Sequence, residues 1–269
     1  MTHGLGRIYV HDPADWSSTK LHALLDEHAT VIPPSALWDD PAVLDQGNFG
    51  TCVGNGWAGW GDSAPVLDLF TETDARAIYY EATVIDGSPD DPDKPGGGQQ
   101  GSTVRSGAKA MQNRGKLTAY AFTTTLPTIR EWLANHGPVV MGTDWTNDMF
   151  TPKAGWVTPT GGVAGGHCYL CIGYDTTNDS FRFRNSWGSS WGIMGDFGMK
   201  SADLAKLLVG IESPGEACMS AEVPAPAPGP FPDTTLANAL RVWAYARHSG
   251  SNRAAALAVQ AWLRAKGIV

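Results

Sequence analysis

The sequence predicts an α+β fold, a helical half followed by a strand-rich half with a cleft where the two meet. Three observations lead there. Residues 52–136 carry helix-period apolar patterns with recognisable starts and stops. From residue 138 the texture changes to short β-branched and aromatic runs between turn residues. The chain is 42% hydrophobic and holds 11 Trp in 269 residues, enough to bury a sizeable core.

The elements follow in order. Residues 1–45 read as an irregular lead-in, because Pro33, Pro34 and Pro41 block long helices; residues 18–28 are long enough for one short helix. From Cys52, the positions Val53, Trp57 and Trp60 suit a buried helix. Gly54, Gly56, Gly59 and Gly61 weaken it by roughly 1 kcal/mol each relative to Ala, which makes sense if another backbone packs close against it. Pro65 is its expected stop. Further helices are expected over 74–85, 103–114 (ending at Gly115) and 128–136, with a Pro/Gly/Asp-rich loop over 87–101. Strands are expected over 138–142, 168–174, 181–184 and 196–199.

Three short stretches together can build a catalytic site. They are Gln46-Gly47-Asn48-Phe49-Gly50-Thr51-Cys52, Gly165-Gly166-His167, and Asn185-Ser186-Trp187-Gly188. A thiol needs a base to ionise it, and the base needs a third group to hold its ring. Taken singly, each residue has a plainer reading: a core thiol, a satisfied core histidine, a turn asparagine. Their joint occurrence in this order favours chemistry.

At these residues the sequence resembles the papain family of cysteine peptidases, in a bacterial or phage branch, over about residues 33–212. The resemblance implies a papain-like fold of two subdomains, helical and β-barrel-like, with the active-site cleft between them. It implies that Cys52 is the nucleophile, His167 the base, Asn185 the ring-orienting group and Gln46 the oxyanion donor. Trp187 would cover the His–Asn hydrogen bond, and Gly101 and Ser102 would meet the substrate backbone. Secreted members carry a Cys three residues before the nucleophile, where this chain has Phe49, and Val53 replaces the Trp that usually follows the nucleophile. Zymogens of the family carry an inhibitory propeptide of roughly small-domain size. The lead-in here is expected to be too short for one, so the resemblance supplies no maturation mechanism.

Four cysteines are too few for a disulfide framework. Cys168 and Cys171 have the spacing of half a zinc site but lack a second pair, so they are expected to be core thiols, and no metal or other cofactor is expected. A net charge of −8 argues against nucleic-acid binding over the whole surface.

The domains are expected as a lead-in over 1–32, a peptidase domain over 33–222, a Pro-rich linker over 223–232 and a small basic helical module over 233–269. The module would form a helical hairpin broken at Ser249-Gly250. Its five basic residues face a single acid, Asp233, so the charge balance reverses against the rest of the chain. Such a module could dock a virion, a cell wall or another partner. The expected function is peptide-bond hydrolysis through a thiolate–imidazolium pair and an acyl-enzyme, as an endopeptidase on peptide or protein substrates. Two other readings are a lysin cutting peptidoglycan peptides and a catalytically retired virion protein. No apolar stretch has the length of a signal peptide or of a membrane span. The expected location is therefore cytoplasmic at synthesis, with virion association as the alternative.

Overall fold

A computed structural model describes residues 3–25, 32–38, 43–66, 68 and 70–222. The chain divides into two units after Val223, and the description covers the first. The expected Pro-rich linker and basic helical module lie outside the described residues.

The lead-in starts in the interior of this unit. Residues 3–9 form an extended strap whose centre, β1 (Arg7–Ile8), pairs in parallel with the two-residue β3 (Ser102–Thr103). Helix α1 (Ser18–Leu24) follows, capped by the Ser17 hydroxyl, which accepts from Lys20 N–H. Strand β2 (Ser35–Leu37) returns the chain to the main sheet.

Helix α2 (Cys52–Asp62) is buried along its whole length, so no polar stripe is needed. Its glycines answer to close neighbours. A Cβ on Gly54 would stand 2.8 Å from the Tyr79 backbone nitrogen of α3 (Glu72–Ile85), and one on Gly56 would stand 2.7 Å from the Cys168 sulfur. Helix α3 starts two residues before the expected position because Thr71 and Asp74 form a capping box. Thr103 caps α4 (Val104–Asn113) through Ser106 N–H, and Gly115, at φ +68°, closes it. Helix α5 (Leu126–Asn135), expected in the helical half, instead packs on the sheet side, where Ile129, Trp132 and Leu133 join the cluster around Trp145.

The main sheet is antiparallel throughout. Its order is β4 (Leu117–Thr123), β9 (Glu216–Glu222), β5 (Val139–Thr146), β6 (Val163–Asp175), β7 (Ser180–Arg184), β8 (Asp196–Lys200), with β2 also on β6. Helix α6 (Ser201–Val209) links β8 towards β9. Strands β4 and β9 and helix α6 were not anticipated from the sequence.

Strand β6 divides the core by its two-residue period. Cys168, Leu170 and Ile172 join the cluster containing α2 and α4, while Tyr169 and Cys171 join one built on Trp145, Phe183, Trp187 and Phe197. All four cysteines are free and buried. Among the described residues no His/Cys/Asp/Glu group is arranged to hold a metal, and no helix is long and apolar enough to cross a membrane.

Candidate active site

Cys52 opens α2, and its neighbour Thr51 makes no side-chain cap. The helix's first N–H groups are therefore free to face other acceptors. Backbone N–H groups of Cys168, Gly6 and Val53 face the sulfur, but complete burial outweighs them and pushes the thiol up to about 11.

The loop before Cys52 is stapled to the loop after β7. Gln46 N–H donates to Ser186 O at 2.9 Å, Gly188 N–H to Leu44 O at 3.0 Å, and the Ser186 hydroxyl to Gln46 Oε1 at 2.6 Å. The last bond fixes the amide so that Nε2 faces the cleft. There it donates to Phe49 O at 2.7 Å and Gly4 O at 3.1 Å.

His167 lies on β6, opposite Thr143. Its Nε2 is 2.8 Å from Asn185 Oδ1, which also accepts from Ser186 N–H. Trp187 stacks on the imidazole with centroids 4.6 Å apart, and Trp145 meets it edge-on at 4.9 Å. Burial lowers the imidazole to about 4, against the opposing pull of Asn185. Its Nδ1 has no hydrogen-bond partner. His167 and Asn185 are thus joined directly. Cys52 approaches through the backbone of Cys168, the residue after the histidine, without a thiol–imidazole hydrogen bond. Burial disfavours the charged form of both groups.

The strap crosses this site. His3 also stacks on Trp187, with centroids 4.6 Å apart. Gly4 N–H donates to Gly47 O at 3.1 Å, and its carbonyl takes the Gln46 amide. Gly6 N–H donates to Gly166 O at 3.0 Å, and Ser102 N–H to Gly6 O at 2.8 Å. Gly4 and Gly6 are needed for proximity: a Cβ would stand 2.9 Å from the Asn48 carbonyl carbon in one case and 2.8 Å from Gly50 Cα in the other. Gly101, at φ +80°, comes equally close to Gly6, and Gly101 and Ser102 together form one wall of the track. The lead-in, expected to be too short for a family propeptide, nevertheless meets Gln46, Cys52, Gly101, Ser102 and Trp187 among the sequence-predicted site residues.

The strap's Arg7 enters a pocket that the sequence did not signal. Its Nε donates to Glu216 Oε1 at 3.0 Å, Nη1 to Ser213 Oγ at 2.9 Å, and Nη2 to Pro214 O at 2.6 Å. The guanidinium side chain is fully buried. Burial pushes the Glu216 carboxyl up to about 7, and Arg7 pulls it down. Asp144 builds the pocket wall. Its Oδ2 accepts from the N–H groups of Ile211, Glu212 and Ser213, and its Oδ1 from the Ser213 hydroxyl. Desolvation is the largest single influence on that carboxyl and raises it, but the Ser213, Glu212 and Ile211 bonds together hold it below the usual range. Asp90 does similar work for the opposite wall, accepting from the N–H groups of Gly98, Gln99 and Gln100 just before Gly101. Asp144 itself is buried inside β5.

With this geometry in hand, the chain can be set beside known proteins. Residues 77–213, just over half of it, match the model of the papain family of cysteine proteases. The chain belongs to that family. The matched stretch contains His167 and Asn185 and begins after Gln46 and Cys52. A cathepsin B from Dictyostelium discoideum is 34% identical over 87 residues, 31% of this chain and 28% of that protein. The chain therefore spans little more than a quarter of that relative's length. Among solved structures, xylellain, a cysteine protease from Xylella fastidiosa, is similar at 21% identity and a TM-score of 0.60, over 82% of this chain and 97% of that one. A digestive procathepsin L2 proteinase from Tenebrio molitor larval midgut is similar at 17% identity and a TM-score of 0.55, over 81% and 78%. At these identities the likenesses establish the papain-like α+β fold.

Proposed function

We propose that this papain-family protein is an endopeptidase working through Cys52 and His167, and that the strap holds it latent. The observation carrying the reading is the His167–Asn185 hydrogen bond at 2.8 Å, which leaves Nδ1 unpartnered on a base one residue from the backbone that contacts the nucleophile. With the cleft open, Nδ1 takes the thiol proton and the sulfur attacks a peptide carbonyl carbon. A C–S bond forms, the carbonyl electron pair moves onto oxygen, and Gln46 Nε2 and the Cys52 N–H stabilise that charge. As the tetrahedral centre collapses, the C–N bond breaks and His167 returns its proton to the leaving amine. Water then hydrolyses the thioester by the same proton route. Asn185 adds no charge; it fixes the ring, and Trp187 shields that bond from water.

Burial raises the Cys52 thiol and lowers the His167 imidazole, which disfavours the thiolate–imidazolium pair while the strap is in place and supports the strap as the source of latency. The lysin and virion readings rested on residues 223–269, outside the described part.

Intact-mass analysis after treatment with an epoxysuccinyl inhibitor, beside Cys52→Ala and His167→Ala, tests the site. One adduct mapped to Cys52, lost in both variants, is expected, together with cleavage of internally quenched peptides. Absence of any adduct on folded protein whose strap has been displaced by substitution would overturn the reading.

A further inference from the structure

We infer that a trough on the outer face of the main sheet is a binding site for a small apolar carboxylate, an aryl or alkyl acid, held by Arg182. The inference is independent of the peptidase reading. The trough lies at the far end of β6 from His167, and none of its lining residues belongs to the candidate active site.

One row of paired residues builds it. Leu37 on β2 faces Gly173 on β6, Gly173 faces Arg182 on β7, Arg182 faces Gly198 on β8, and Gly198 bridges to Trp156. Phe181, Phe183, Phe197 and Met199 alternate with this row and join the core, so the row itself lies on the outer face. The two glycines let its ends lean inward. A Cβ on Gly173 would stand 3.0 Å from Leu37 Cδ1, and one on Gly198 would stand 2.9 Å from the Trp156 indole. Gly173 and Gly198 are two strands apart, so these apolar groups flank Arg182 at about 10 Å from each other. Ile193 extends the Trp156 side, where a Cβ on Gly155 would collide with it. Leu37, Trp156 and Ile193 are all exposed, and the concavity they bound measures about 510 Å³, within the range of small-molecule sites.

Charge selects the ligand. Asp196 serves two guanidinium groups: its Oδ1 accepts from Arg184 Nε, and its Oδ2 accepts from both Nε and Nη2 of Arg182, at 3.1 and 2.9 Å. Nη1 of Arg182 is left without a partner among the described residues, on a side chain 41% exposed. Ser180, two residues earlier on the same face of β7, brings a hydroxyl to the lining. Lys200 adds a positive charge at the Trp156 rim, 5.0 Å from the ring centroid. Asp175 is the one acid in the lining, and its oxygens are turned to the N–H groups of Thr177 and Asn178 and to the Asn178 amide. A carboxylate is the matching group for a guanidinium with a donor to spare, and the apolar walls require a body behind it. The strands beneath spend their backbone groups on their own ladders, so the trough offers side chains alone. That suits a small molecule rather than an extended peptide.

Calorimetric titration of the full chain with 2-naphthoate, 2-naphthamide and acetate tests the site, and Ile δ1-methyl spectra locate it. 2-Naphthoate should bind with a Kd of about 1 mM or below, and 2-naphthamide, the same body without the charge, about tenfold or more weaker. Acetate, the charge without the body, should not bind measurably. The Ile193 methyl should shift with 2-naphthoate while the buried Ile78 and Ile129 methyls stay in place. Arg182→Gln should remove the preference for acid over amide, and Trp156→Ala should weaken both. If Arg182→Gln does not fold, the acid–amide comparison and Trp156→Ala decide without it. Equal affinity for acid and amide, an unmoved Ile193 methyl, or binding unaffected by Trp156→Ala overturns the inference.

Discussion

Replacing Gly6 with alanine perturbs the closed cleft at its narrowest point. The new methyl carbon would stand 2.6 Å from the Gly50 carbonyl carbon and 2.8 Å from Gly50 Cα, with the carbonyl oxygen closer still. Both neighbours are backbone, so the strap has to move. Retreat from the track breaks the bonds from Gly6 N–H to Gly166 O and from Ser102 N–H to Gly6 O. At about 1 kcal/mol each, that is about 2 kcal/mol, or roughly 30-fold in the population of open molecules. If Cys52 reacts only when the strap is off, its alkylation rate constant scales with that population. The assay is the second-order rate of iodoacetamide labelling at neutral pH, quenched and read by intact mass. Cys168, Cys171 and Cys218 are also buried, so global unfolding would add several adducts where strap opening adds one. Gly162→Ala is the control, because the nearest neighbour of a Cβ there is 3.6 Å away. A Gly6→Ala rate within about twofold of the wild-type rate, with a single adduct, would refute the argument that the strap gates the thiol.

Three further outcomes are expected. The wild-type labelling rate should climb about tenfold per pH unit across the neutral range, since burial pushes the Cys52 thiol up to about 11, whereas the Gly6→Ala chain should level off at much lower pH; superimposable profiles would contradict this. Gln46→Ala should lower kcat by roughly 10²–10³ while leaving Cys52 labelling as fast as wild type or faster, because the amide serves the oxyanion and also holds Gly4; a parallel fall in both would reassign the residue. Gly56→Ala should destabilise the fold by about 1–3 kcal/mol, since its Cβ would stand 2.7 Å from the Cys168 sulfur between α2 and β6; an unchanged melting temperature would show that this contact has slack.

The candidate site residues stood out in the sequence because each lies in a short motif with its own local geometry. Gln46 and Cys52 flank one loop, His167 follows a glycine pair, and Asn185 opens a tryptophan-rich turn. The glycines of α2 were legible as close approaches, although the sequence could not say that α3 and Cys168 were the neighbours. The strap was hidden because a two-residue strand has no period, and Gly4-Leu5-Gly6 looks the same in a loose lead-in as in a tight track. Glu216 and Asp144 were hidden for another reason. Their partners are 209 and 67 or more residues away in sequence, and an isolated acid in a strand gives no local sign of what it will face. β9 escaped notice because Glu-Ala-Cys-Met-Ser-Ala-Glu lacks the β-branched and aromatic residues that mark strands, and its burial comes from β4 and β5 on either side.

Because the strap is covalently part of the chain it covers, it acts as a ligand that dilution cannot remove. A short tether commonly holds such a segment at an effective concentration in the millimolar range, so a free peptide must compete at that level however little protein is present. One scission changes the regime. Val10, immediately after the strap, is 51% exposed, and His11 beside it is exposed as well. A cut at that point would turn an intramolecular strap into a separate segment held only by its own affinity. Reclosure would then depend on the concentration of the released segment, which the tether no longer sets.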